Sequence, residues 1–160
     1  MSVTFERHSE GMRISMSETE LKLLLELPQQ LRDLYDNPLD EAYDRLFPRA
    51  YLDPTEEKAE SEWQEFVHPD LHRQRLDALE AVTSTLNQAG PVGRNLVGVD
   101  LDEDTVNALL SVLNDARLIL GSRIGLNDES EVRPDLDPGL YAAYQWLSYL
   151  EGDLVETLLG

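Results

Sequence analysis

The sequence predicts a mainly helical α+β fold, a single domain over residues 1–160. It should hold about five helices and a small antiparallel sheet. Three observations lead there. Apolar residues recur at i, i+3 and i+4 through most of the chain. Capping residues and prolines stand just before these stripes, where helices start. Two short regions, at the N-terminus and near the middle, alternate apolar and polar residues as half-buried strands do.

Val3–His8 and Met12–Met16 read as a hairpin, with Ser9-Glu10-Gly11 supplying the turn. Ser17-Glu18-Thr19-Glu20 is a capping box and opens a helix. Leu21, Leu24, Leu25, Leu31, Leu34 and Tyr35 give it a face, and Pro28 should kink or break it. Asn37-Pro38 ends it, and Glu41–Phe47 suits a short helix closed by Pro48.

The block from Leu52 to Leu71 holds two helix starts in succession. Asp53 caps the first, Pro54 fits its first position, and Glu56 stands where a capping-box acid belongs. Its stripe is Ala59, Trp63, Phe66 and Val67. His68-Pro69 ends it, because a residue before proline is pushed out of the α region. Pro69 opens the next helix, which aligns Leu71, Arg75, Ala78, Leu79, Val82 and Leu86.

Residues 88–95, QAGPVGRN, read as a flexible loop. Leu96–Leu101 reads as the central strand. Asp102 caps a helix facing inward through Val106, Leu109, Leu113, Ala116 and Leu120. Gly121 has the character of a residue just past a helix end, and a second flexible loop is expected over 122–136. Asp137-Pro138 starts the last helix, with Leu140, Ala143, Leu147, Leu150 and Leu154 toward the core. Strand, cap and helix recur in one order in Met12–Leu34 and Val97–Ile119, so the two strands suit one sheet. Shared capping grammar accounts for the echo without duplication.

Composition excludes several function classes. Hydrophobic residues are 41% and charged residues 28%, which argues against both disorder and a membrane protein. No apolar run reaches the roughly 18 residues that span a bilayer. The start, MSVTFERHSEG, has no basic region followed by an apolar stretch, so a cytoplasmic location is expected. The net charge is -19, from 32 acids against 13 bases. Phosphate backbones would be repelled, so direct nucleic-acid binding is not expected, and a basic protein partner fits better. Cysteine is absent, which removes disulfides, thiolate metal sites and thiol redox switching.

Motifs for chemistry are sparse. Glu65, His68 and His72 are the cluster with metal-ligand types, but Pro69 puts the i, i+4 geometry in doubt. Two surface histidines at a helix junction is the simpler reading, and no metal or cofactor is assigned. Asp100–Asp104 opens like a calcium loop, but Thr105 and Ser111 stand where it needs Gly and Glu. Capping explains these acids instead. The glycines at 90, 93 and 98 lack a following GK[ST], so they make no phosphate loop. No catalytic residues are assigned.

Partner-contact candidates are Glu56, Glu57 and Glu60 as an acidic face, and Trp146 and Tyr149 as a second apolar face of the last helix. Solvation of the acids and core packing of the aromatics are the plainer readings. Arg117 and Arg123 have two readings: anchors for an acidic or phosphorylated contact, or bases favoured near a helix C-terminus.

The segment LDPTEEKAESEWQEFVHPDL, the stretch Asn114–Gly125 and the closing Tyr144-Gln145-Trp146-Leu147 resemble a family of small actinobacterial proteins. Phe5-Glu6-Arg7 and Gly11-Met12-Arg13-Ile14 fit the same pattern. The family, long labelled a domain of unknown function, is also called the actinobacterial oxidative-stress regulator family. The resemblance implies a non-enzymatic transcription regulator that senses oxidation through a CxxxC pair and works with a stress sigma factor or RNA polymerase. This chain lacks the cysteine pair, so that switch transfers to no residue here. The sequence is compatible with a homo-oligomer and does not fix the oligomeric state. The alternative it implies, through neighbouring genes, is an adaptor or accessory protein in Clp-linked proteolysis.

Overall fold

A computed structural model describes residues 3–47, 53–125 and 138–160. The chain is mainly helical with one small sheet, as the sequence predicts. In order it runs β1 (Thr4–His8), β2 (Gly11–Met16), α1 (Glu18–Tyr35), α2 (Tyr43–Leu46), α3 (Glu57–Phe66), α4 (His68–Leu86), β3 (Gly90–Gly93), β4 (Leu96–Leu101), α5 (Glu103–Arg123) and α6 (Pro138–Leu159). A 3-10 turn at Pro54–Glu56 precedes α3.

The sheet is antiparallel, in the order β1-β2-β4-β3. β2 and β4, far apart in sequence, pair with Met12 opposite Leu101, Ile14 opposite Val99 and Met16 opposite Val97. Phe5, Met12, Ile14, Met16, Val97 and Leu101 are buried on the helical side. β1 turns into β2 through Ser9-Glu10, with Ser9 at φ 55. Gly11 already pairs with His8, and a Cβ on it would lie 2.0 Å from the Leu101 carbonyl oxygen. Only glycine fits there.

Residues 88–95 contain a strand where a flexible loop was expected. β3 pairs with β4 through a two-residue turn at Arg94-Asn95, and Asn95 takes φ 60. Glycine and proline disguise the strand. Pro91 has no N–H for a ladder, which an edge strand tolerates, and β3 is at the edge.

Helix starts follow their sequence signals. The Ser17 hydroxyl accepts from the Glu20 N–H at 3.1 Å, and the Ser17 N–H donates to the Glu20 carboxylate at 3.0 Å. Asp102 accepts from the Thr105 N–H at 2.8 Å, and Asp53 from the Thr55 N–H at 2.9 Å. Glu56 makes no capping bond; it ends the 3-10 turn. α4 begins at His68 itself, one residue before Pro69.

Pro28 does not break α1, which continues past it with the proline buried inside. α5 continues through Gly121 to Arg123, and Gly125, at φ 79, is the glycine past the helix end. At Gly121 an added Cβ would make an ordinary contact, 3.5 Å, with the Tyr144 ring of α6. Of the loop expected over 122–136, residues 126–136 lie outside the described residues, as do Pro48 and Asp137.

α5 is the central helix. Val106, Leu109 and Leu113 are buried, and so are Val112, Ile119 and Ser122 on other sides. α4 and α6 pack against it, α1 joins them, and the sheet closes one end. Arg117 pairs with Glu151 of α6 at 3.1 Å, and Arg123 with Asp40 at 3.0 Å. Of the two, only Arg123 stands in the last turn of α5; Arg117 lies further inside the helix and meets the acid of a neighbouring helix instead. Arg7 of β1 donates to the carbonyls of Thr157 and Leu158, closing the open end of α6.

Candidate functional site

Two features gather polar or apolar groups beyond what the core needs. The first is a groove over α5, walled by α1 and α6. α1 carries two apolar stripes. Leu24, Leu31 and Tyr35 go into the core. Leu23 and Leu27, four residues apart, line the groove with Leu31 and Leu34. α5 supplies a floor of Ala116, Ile119 and Leu120, and α6 a wall of Leu140, Ala143 and Trp146. The space encloses about 700 Å³, within the range of ligand and peptide sites. Leu23 stays 45% exposed, high for a leucine beside so many apolar neighbours.

Charge is confined to the margin of this groove. Glu20 is held in the capping box with Ser17. Glu26 is exposed at the rim. Arg123, the cation among the lining residues, already meets Asp40 at 3.0 Å and Glu41 at 3.7 Å. The Asp40 carboxyl is held below its usual range by the Ala42 N–H, with Arg123 adding to the effect.

The second feature is an aromatic and histidine cluster between α1, α2 and α4. The His68 and His72 rings stack at 6.2 Å, and Phe47 lies between 5.0 and 5.7 Å from both. His68 Nε2 is 2.8 Å from the Tyr43 hydroxyl. Burial, then the neighbouring His72, pushes the His68 pKa down, so a neutral ring accepts from Tyr43. His72 Nε2 lies 3.0 Å from the Tyr35 carbonyl, which can only accept, so that nitrogen carries a proton.

Beneath the rings lies an ion pair between the buried Asp115 and the half-buried Arg75. Arg75 and the Tyr35 hydroxyl both donate to Asp115 Oδ2, at 2.5 Å. Arg75 also donates to the Leu46 carbonyl and covers the Phe47 ring. Burial and then Asp115 raise the Tyr35 pKa far above its ordinary value, so the phenol stays protonated. The cluster joins four helices and leaves its groups engaged with each other. Glu65 is exposed on α3, and no group of three or more metal-ligating side chains stands together among the described residues.

The predicted contact residues divide. Glu56 and Glu57 are exposed, but Glu60 is only 4% exposed and accepts from Gln64 at 2.8 Å. They are therefore not one acidic face. α3 also turns Phe66, at 70% exposure, and Val67 outward, although both belong to its apolar stripe. Trp146 lines the groove, whereas Tyr149 is 61% exposed outside it. Leu23 and Leu27 went unremarked in the sequence. The available signal was a leucine run, Leu23-Leu24-Leu25 and Leu27, richer than one helix face requires. The acids at Glu10 and Asp102–Asp104 border a shallow depression, and Asp102 there is a cap, as the sequence indicates.

The described residues define a small helical α+β fold with an apolar groove beside its central helix. The chain belongs to the family described as a domain of unknown function, DUF2017, whose model matches residues 2–158. Neither the curated proteins nor the solved structures give a match.

Proposed function

We propose that the protein is a non-enzymatic cytoplasmic regulator that works through protein contacts, with a stress sigma factor as its partner. The observation supporting contact-based action is the apolar groove over α5, open among the described residues, in a chain of net charge -19. An acidic surface favours encounter with a basic protein and opposes direct binding to a phosphate backbone. The sigma factor comes from the sequence resemblance. With no cysteine in the chain, regulation proceeds without thiol sensing. No described helix is long and apolar enough to cross a membrane.

Affinity purification of the tagged full chain from its host, with and without peroxide, tests the reading. Enrichment of a sigma factor or RNA polymerase, unchanged by peroxide, is the expected result. Recovery of Clp protease components instead would replace it with the adaptor function.

A further inference from the structure

We infer that the groove between α1, α5 and α6 receives an amphipathic α-helix of a partner protein, apolar along one face and flanked by lysine or arginine. The inference rests on the contact-based function above and names the chemistry of the contact. The α1 wall from Leu23 to Leu34 is about 17 Å long at 1.5 Å per residue, the length of three helical turns. Leu23, which is 45% exposed, and Leu27 form an i, i+4 ridge on it, with the buried Leu31 and Leu34 continuing the lining. Ala116 and Ala143 keep the floor and the facing wall shallow, and Trp146 supplies a large, partly buried anchor. A helix laid along this ridge would bury apolar side chains at i, i+3, i+4 and i+7.

Charge selects among occupants. A fatty acid or other anionic amphiphile needs a cation, and Arg123 is committed to Asp40 and Glu41. A second copy of this chain brings another -19. A cationic helix meets Glu26 at the rim and an acidic protein around it.

The test uses the full chain and a labelled peptide of about four turns, built from leucine and lysine at helical spacing. Its controls are a scrambled peptide of the same composition and a leucine–glutamate counterpart. Amide shift mapping should place the patterned cationic peptide along α1 and α6. Leu23→Gln removes apolar contact without adding charge, and should weaken binding about tenfold. Its thermal melt should match the parent, because Leu23 is only half-buried. Trp146→Ala gives a second reading of the same contact.

Equal binding of the scrambled or anionic peptide would overturn the inference, as would no loss with Leu23→Gln. Cross-linking that finds the groove filled by residues 126–137 or by a second copy would do so too. The two proposals fail separately. Host transcription machinery retained equally by Leu23→Gln removes the groove and leaves the regulator. Peptide binding in the groove with no such machinery recovered removes the regulator and leaves the groove.

Discussion

Asp115 is the residue on which the interior charge balance turns. It is 2% exposed and accepts from both Arg75 and Tyr35. Removing its carboxylate leaves the half-buried Arg75 and the buried Tyr35 hydroxyl without their acceptor. Asp115→Ala should therefore cost about 3 kcal/mol, read as a lower urea midpoint. His68 makes the second prediction at this scale. Its folded pKa lies below 6.5, so the unfolded chain takes up the proton first. Stability is then full above that pH and falls as pH drops toward the folded value. Urea midpoints should decline as pH falls below 6.5, and His68→Gln should flatten that slope. The sequence put Arg75 on the inner face of α4 but offered no sign of Asp115, which sits in an ordinary helical context beside Ala116. Only the helix across from it makes that position a counter-ion.

Elements were legible to the extent that their signals were local. The capping box at Ser17 and the cap at Asp102 each reach three residues along the chain, and both form as read. Pro28 leaves α1 unbroken because its cost is local while its compensation is not: α1 is held by its packing on α4 and α5. β3 misled because being at a sheet edge is a property of the sheet, not of the strand. Gly11 yields a sharp prediction here. A methyl at this position meets the Leu101 carbonyl oxygen at 2.0 Å, and neither backbone can retreat without breaking the β2–β4 ladder. Gly11→Ala should destabilise by about 3 kcal/mol, seen as a lower thermal midpoint with the native fold otherwise kept.

The whole molecule carries a net charge of -19 on one small domain. Like charges at the surface repel, and the repulsion is relieved when the chain unfolds and expands. Salt shortens the reach of that repulsion from about 30 Å at 0.01 M to about 8 Å at 0.15 M. The thermal midpoint should therefore rise by a few degrees between these salt concentrations. A flat response would mean that ion pairs such as Arg117–Glu151 and Arg123–Asp40, which salt weakens, offset the relief. The groove belongs to this scale as well, since it is formed by three helices from separate parts of the chain.

The sequence by itself determined the fold class, the helix starts at Ser17 and Asp102, the suitability of the two distant strands for one sheet and the absence of thiol chemistry. Each follows from periodicity, from capping within a turn, or from a simple count. The tertiary structure alone decided that β3 joins the sheet, that Glu60 is buried while Phe66 is exposed, and that Asp115 meets Arg75. It also decided that Leu23, Leu27 and Trp146 share one groove. The physical reason is common to all of these. A side chain's period places it on a face of its own helix, but the neighbour that meets that face is set by packing between segments tens of residues apart.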